Sequence, residues 1–436
     1  MTQTASQAEW LRVRSYLQDH RHALAVDAAG AYPAERRMAG TPLLAAPEWQ
    51  PSEPVPLHDI ELEFFHPRGT PPRTPDPGLS APAGAELPER PDGTRYRSYS
   101  DALRDLAAPA VFENRPTYRL TEADLTKPRL AFTRGRYFDG VDTGEAAAHE
   151  YAATRLAGLD EHRQDQPRAA GPRARIADPC DLTRRPANLA ITTLTLRFDA
   201  ATGRASFLLH WRDPAKVGHA GGLYQVIPVG VFQPSGEASW HEREDFSLWR
   251  CMLREFDEEL RGTPEEYGAG PVDYDSWPFA RHMAAALDRG QIRVWCLGLG
   301  VDPLTYATDL LTVAVIDSRV FDELFSLDPR GNDEGSVLAA REFAAHVIDR
   351  VVTGDPVQAA GAAVLRLAWR HRDTLTVLPR RLPLASPRQR APGSGSPGPA
   401  PARRARAGTG WPARRTSGPC VPAAGRSRPR PTRRPR

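Results

Sequence analysis

The sequence has few cysteines, almost no lysine and no long apolar segment. Only four of its 436 residues are cysteine and none forms a Cys-x-x-Cys pair, which argues against a disulfide scaffold and a cysteine-rich zinc module. No run of about 18 apolar residues occurs, which argues against a membrane-spanning helix. The first residues lack the basic-then-apolar pattern of a secretory signal. We therefore expect a cytoplasmic protein without a membrane partner.

The near-neutral net charge of +3 conceals a strong asymmetry. Fifteen arginines and no acidic residue lie between Arg380 and Arg436, whereas the preceding residues carry a net charge of −12. Pro, Gly, Ala, Ser and Arg dominate this tail, so it cannot bury enough apolar surface to offset its conformational entropy, and we expect residues 379–436 to be disordered. The tail is either a nucleic-acid contact that acts through counterion release or an extension without selected function.

Apolar patterning divides the rest of the chain into two parts. Residues 1–175 begin with an amphipathic helical stretch and continue with Pro-rich segments, which predicts a helical and irregular region. From 176 to 378, alternating stretches such as ANLAITTLTLRFD are interspersed with helical patterns. These predict an α/β (α+β) domain, a mixed β-sheet flanked by helices. The expected buried stripe of the first helix is Trp10, Val13, Leu17 and Leu24.

An acidic cluster stands out on a predicted helix that Asp245 would cap and Gly262 would end. Glu255, Glu258 and Glu259 stand at positions i, i+3 and i+4, so their carboxylates project from one side of the helix. Three neighbouring anions repel one another. Mg²⁺ (or Mn²⁺) would remove that cost, because a hard cation prefers carboxylate oxygen and shares its coordination shell with substrate phosphates. Arg254 is expected to hold one of the glutamates through a charge-assisted hydrogen bond.

The string Arg254-Glu255-Phe256-Asp257-Glu258-Glu259 resembles the second half of the Nudix hydrolase box, G-x5-E-x7-R-E-U-x-E-E-x-G-U, in which U is apolar. The resemblance covers roughly residues 185–352 and implies a Nudix-like fold. It assigns catalytic and metal-binding roles to the box positions. In the second half of the box, those positions are Arg254, Glu255, Glu258 and Glu259.

The first half of the box departs from the family pattern. Glu237, which follows Gly236, matches its first glutamate, but 16 residues instead of seven separate it from Arg254. Glu242, Glu244 and Asp245 in this insertion are the alternatives for that position. Glu334, in the loop GNDEGS, corresponds to the additional acidic group that many members supply to the metal.

Two further clusters are candidates for binding. Arg212 and Lys216, in the loop HWRDPAKVGHAGG with His210 and His219 at its ends, are candidates for contact with a substrate phosphate, although ordinary polar loop residues are the favoured interpretation there. Glu237 is a further candidate for substrate contact. Glu145 and His149, at i and i+4, are compatible with a metal site. A capping turn and a solvated helix face are the favoured interpretation there.

These observations lead to two hypotheses about function. The first is a Mg²⁺-dependent protein that recognises, and in its enzymatic form hydrolyses, a nucleoside diphosphate linked to another group. The second is a non-catalytic transcriptional regulator or ligand sensor on the same fold, since stretches such as RYRSYSDALRDLAAPAVFENRPTYRL resemble actinobacterial proteins described as transcriptional regulators. That resemblance implies a helix-turn-helix, and the sequence shows no pattern that predicts one.

Overall fold

The computed structural model describes residues 3–65, 87–109, 112–159, 171–212, 222–263, 270–325, 335–337 and 339–376. The tail predicted at 379–436 lies outside these residues. The helices are α1 (Ala5–Asp19), α2 (Arg21–Ala29), α3 (Tyr99–Ala107), α4 (Tyr137–Gly140), α5 (Ala146–Gly158), α6 (Pro172–Ile176), α7 (Ser239–Glu244), α8 (Leu248–Arg261), α9 (Pro278–Asp288), α10 (Ser318–Leu324), α11 (Ala345–Gly354), α12 (Ala359–Arg370) and α13 (Arg372–Thr376). A π-helical turn, Val141–Glu145, joins α4 to α5.

The strands form three sheets in the described part of the chain. They are β1 (Val55–Pro56), β2 (Glu61–Phe64), β3 (Pro116–Asp124), β4 (Arg129–Arg136), β5 (Leu189–Asp199), β6 (Arg204–Phe207), β7 (Leu209–Arg212), β8 (Tyr224–Val226), β9 (Val229–Val231), β10 (Ile292–Val301), β11 (Thr308–Asp317), β12 (Gly335–Val337) and β13 (Arg341–Glu342). The largest sheet has the order β1-β10-β11-β5-β6-β13, with β9 also paired to β5. The pairing of β5 with β11 is parallel and the other pairings in this sheet are antiparallel, so the sheet is mixed.

Helices cover this sheet. The residues of β11 from Thr308 to Ile316 are all buried, which requires packing on both faces of the strand. Helix α12 packs against β5, β10 and β11, and α10 packs against β5 and β11. The predicted fold class, a mixed α/β sheet flanked by helices, is confirmed.

Strand β5 has a divided edge that matters for the site. Its first half pairs with β9, with Thr192 opposite Val229, and its second half pairs with β6, with Arg197 opposite Ser206. The two partners therefore meet β5 on either side of Leu194–Thr195. Strand β8, which precedes β9 in the chain, pairs with β7 in a separate three-stranded sheet that also contains β12.

The N-terminal part holds more β-structure than its sequence predicts. Strands β3 and β4 form an antiparallel pair and β2 joins β4 in parallel. The main hydrophobic core takes side chains from Met38 to Leu375, on both sides of residue 176. The domain boundary at that residue stays a prediction.

The first predicted helix is two helices that meet at His20. A capping box between Thr4 and Gln7 starts α1. The predicted buried stripe is confirmed, since Trp10, Val13, Leu17 and Leu24 are all buried. None of the helices among the described residues has the length and apolar character needed to cross a membrane.

Candidate functional site

The acidic helix, α8, begins and ends through local capping. Ser247 accepts a hydrogen bond from the Arg250 N–H and is the N-cap, so the prediction of Asp245 as the cap was wrong. Gly262 ends the helix with a φ of 70°, as predicted, because a left-handed residue at this position closes the last turn. Phe256 is fully buried and its ring stacks on Phe325 at a centroid distance of 5.8 Å.

Glu255 lies directly against the backbone of β9. A Cβ atom added to Gly230 would overlap with the carboxylate of Glu255, so that carboxylate occupies the space of the missing side chain. A side chain at position 230 would therefore displace this carboxylate, which is the end of a flexible side chain. Glu255 itself is half-buried.

Glu259 contacts the neighbouring strand residue. Its Oε1 accepts a hydrogen bond from the backbone N–H of Val229 at 3.3 Å, and the side chain is buried. Glu258, between these two in sequence, is half-buried. The structure thus brings Glu255 and Glu259 to adjacent residues of one short strand, with Glu258 on the same helical segment.

Arg254 is the centre of a buried polar network. Its guanidinium donates to the carbonyl of Gln233 at 2.6 Å, to Tyr274 Oη at 2.6 Å and to the Asp245 carboxylate at 3.3 Å. Asp245 also accepts from Tyr274 Oη at 2.8 Å and from Ser235 Oγ at 2.6 Å. Burial opposes the charged form of Asp245, but attraction to Arg254 and the Ser235 hydrogen bonds outweigh it and lower the pKa of this carboxyl. The arginine therefore fixes the segment that precedes α8.

Two candidates for the first glutamate of the box form ion pairs with arginines of the N-terminal part of the chain. Glu237 is exposed and pairs with Arg136 at 3.0 Å. Glu242 forms two hydrogen bonds with Arg134, at 2.6 and 2.7 Å. The predicted substrate contact of Glu237 stays a prediction.

Only part of the predicted phosphate loop can be placed. Arg212 is half-buried at the end of β7, opposite Gly335 of β12. His210 is a buried strand residue, opposite Gln225 on β8. Lys216, His219 and Glu334 lie outside the described residues.

The donor set on α8 is compatible with a hard cation, but it is not a closed metal cage. Across the described ranges, no three or more His, Cys, Asp or Glu side chains are grouped as metal ligands. Mg²⁺ is commonly held by one or two carboxylates, with water and substrate phosphates in the remaining positions. The carboxylate oxygens on α8 are of the donor type that such a site uses.

The second candidate cluster is a buried ionic network. Glu145 pairs with Arg14 and, at 3.0 Å, with Arg21, and all three side chains are buried. His149 is buried, with its ring stacked on Trp10 at 5.2 Å, and burial lowers the pKa of His149 to about 3. The expectation of a solvated helix face was wrong, because α1 and α2 pack over α5, a contact that local sequence does not reveal.

Comparisons with known proteins add little to this geometry. No protein-family model and no curated protein matches the chain. Among solved structures, a NUDIX hydrolase from Alicyclobacillus acidocaldarius is similar, with 18% sequence identity and a TM-score of 0.26 over 44% of this chain and 95% of that chain. A similarity at that TM-score establishes neither a shared fold nor a shared activity.

Proposed function

We propose that this protein binds the diphosphate of a nucleoside diphosphate-linked compound together with Mg²⁺, at Glu255, Glu258 and Glu259. The observation that carries the proposal is the position of Glu255 over Gly230. Position 230 on β9 is a glycine, and the Glu255 carboxylate fills the space that a side chain there would take. The same segment of helix carries two more carboxylates, those of Glu258 and Glu259. The match of this turn to the second half of the Nudix box supports the same assignment.

The contacts of these residues suggest different roles for them. Glu259 joins α8 to Val229 and sets the position of the helical turn. Glu255 and Glu258, both half-buried, are the cation ligands best placed to share a coordination shell with a ligand from solvent. A bound cation would neutralise diphosphate charge and lower the pKa of an attacking water. Arg254 has a positioning role, because its hydrogen bonds to Asp245, Tyr274 and Gln233 fix the segment that leads into α8.

We expect the cation and the diphosphate to bind together, because Mg²⁺ in proteins is usually held by one or two carboxylates and by substrate phosphates. Mg²⁺ alone should then bind weakly, and its affinity should rise when phosphate oxygens complete its shell. This coupling distinguishes the proposed site from a structural metal centre.

A non-catalytic ligand sensor is the second candidate. The observation that favours it is the position of the residues that could supply the first glutamate of the box. Each of the four candidates is engaged with an arginine: Glu237 with Arg136, Glu242 with Arg134, Glu244 with Arg250 and Asp245 with Arg254. A protein that retains cation and diphosphate binding but lacks this group would sense the ligand without turning it over.

The test is a hydrolysis and binding screen of the full chain with ADP-ribose, UDP-glucose and NAD⁺, in Mg²⁺ and in EDTA. We expect Mg²⁺-dependent binding of at least one compound, and a loss of at least tenfold in affinity or turnover in Glu255→Gln and Glu258→Gln. Glu9→Gln, at an exposed helical glutamate paired with Arg12, is the matched control. Binding with turnover supports the enzyme, and binding without turnover supports the sensor. No Mg²⁺-dependent binding of any compound, or binding unaffected by the two variants, would overturn the proposal.

A further inference from the structure

Helix α12 begins in the interior of the protein without a side-chain cap. Its first three residues, Ala359, Ala360 and Gly361, are buried. The first hydrogen bond of the helix runs from the N–H of Ala362 to the carbonyl of Gln358 at 2.9 Å, so the N–H groups of the first three residues have no partner within the helix. Among the described residues, none of these three N–H groups has an acceptor elsewhere. Three buried donors are therefore collected at the positive end of the helix dipole.

A buried glutamine faces this first turn. Gln225 on β8 is 1% exposed, and a Cβ atom added to Gly361 would lie 2.9 Å from its Oε1. Within the described ranges, neither amide atom of Gln225 has a hydrogen-bond partner. Buried polar side chains in folded proteins nearly always have a partner. The amide and the three N–H groups thus indicate a polar ligand at this position that the chain itself does not supply.

The surroundings of Gln225 favour an anion as that ligand. His210 lies directly opposite Gln225 on β7 and is buried. Arg212, two residues further along β7, lies on the same face of the strand as His210, because side chains alternate between the two faces. Asp355, the nearest carboxylate before α12 in the chain, forms an ion pair with Arg341 at 3.0 Å. The positive charge on this face and the donors of the helix start both suit a negatively charged acceptor.

We propose that the first turn of α12, together with Gln225, binds an oxyanion, which is a phosphate or a carboxylate group. The N–H groups of Ala359, Ala360 and Gly361 donate to its oxygens. The amide of Gln225, whose oxygen and nitrogen exchange places by rotation about χ3, donates through its nitrogen. This site is on a different helix from the acidic turn and needs no cation, so it is independent of the proposed function.

The test measures anion binding to the full chain in EDTA, so its result does not depend on the cation site on α8. Phosphate, sulfate and acetate are titrated separately in the same buffer and followed by calorimetry and by thermal unfolding. We expect at least one of them to bind and to raise the melting temperature. Tighter binding of phosphate and sulfate assigns the site to phosphate groups, and tighter binding of acetate assigns it to carboxylates.

Two variants test the location of the site. Gln358 is the N-cap of α12, with φ −60° and ψ 143°, an extended conformation in which an aspartate side chain can accept from the first turn. Gln358→Asp should therefore replace the anion with a carboxylate of the chain. We expect it to raise the melting temperature without added anion and to weaken anion binding at least tenfold. Gln225→Met, which removes the buried amide at similar volume, should also weaken anion binding at least tenfold.

Ala344→Asp is the matched control. Ala344 is the N-cap of α11 and likewise forms no side-chain cap, so the variant places the same charge at the start of another helix. It should bind the anion as the parent protein does, and an equal loss there would contradict a site at α12. No binding of any of the three anions at millimolar concentration, or binding that Gln358→Asp or Gln225→Met leaves unchanged, would overturn the proposal.

Discussion

The carboxylate of Glu255 occupies the volume in which a side chain at Gly230 would stand. The Glu255 side chain can therefore take this position because residue 230 is glycine. Since Glu259 accepts the N–H of the adjacent Val229, the acidic turn is fixed to this strand at two successive residues.

Gly230→Ala should displace Glu255 and disturb this packing. The displaced carboxylate is the end of a flexible side chain, so we expect a cost of at most about 1–3 kcal/mol in the free energy of unfolding and a loss of Mg²⁺-dependent ligand binding. Gly354→Ala is the control, because nothing other than its chain neighbours and its own helix backbone lies within 4 Å of the Cβ position at that residue. Ligand titration and urea unfolding are carried out on both variants; ligand binding that is unchanged in Gly230→Ala would contradict the assigned contact.

Arg254→Met should destabilise the protein by about 3–5 kcal/mol, because it leaves the buried Asp245 carboxylate without its cation. Arg204, on β6, pairs with Glu342 at 3.5 Å on the surface, and Arg204→Met should cost less than about 1 kcal/mol of ion-pair energy. Chemical denaturation of the two variants tests this. A small effect at Arg254 would mean that the network contributes little to stability.

Glu145→Gln should be similarly costly, by about 3–5 kcal/mol, since Arg14 and Arg21 would lose the carboxylate that they share in the interior. Glu9→Gln at the exposed pair with Arg12 should change stability by less than about 1 kcal/mol. Thermal unfolding separates the two cases. Matched melting temperatures for these variants would exclude a major structural role for the Glu145 network.

Asp142 should make stability depend on pH. Burial raises the pKa of Asp142 from its ordinary 3.8 to about 6, so the folded protein holds this proton more tightly than the unfolded chain. The destabilisation that comes from ionising Asp142 in the folded protein is therefore absent below pH 3.8. It grows between pH 3.8 and about pH 6, and it is complete above about pH 6.

Asp142→Asn keeps an acceptor for the Ser100 N–H and removes the titration. The variant should match the parent protein near pH 4 and exceed its stability by about 3 kcal/mol at pH 7.5. Denaturation curves at both pH values, taken as the difference between variant and parent, cancel the other titrating groups. A difference that is the same at both pH values would contradict the shifted pKa.

Local sequence predicted those features that depend on nearby residues. The alternation in β5 and the buried stripe of α1 and α2 follow from periodicity, and the end of α8 at Gly262 follows from glycine's tolerance of positive φ. The pair β3–β4 was missed because its strands mix charged and apolar residues without clear alternation.

Long-range contacts account for the other differences. Asp245 and Ser247 are both suitable N-caps, but Asp245 is held by Arg254 and Ser235, and Ser247 caps the helix instead. The burial of Glu145 depends on helices more than 100 positions away. The approach of Glu255 to Gly230 needs the pairing of β9 with β5, although a glycine in a strand is itself a signal for close approach.

Joint binding of a cation and a diphosphate at α8 is tested most directly by Mn²⁺ titration followed by electron paramagnetic resonance, with and without α,β-methylene-ADP, whose phosphate bridge resists hydrolysis. We predict that the nucleotide increases the amount of Mn²⁺ bound to the full chain beyond the amount that the nucleotide binds alone, and that Glu255→Gln and Glu258→Gln abolish the increase. Mn²⁺ binding that is independent of the nucleotide, or that is unchanged in both variants, would contradict a shared site on this helix.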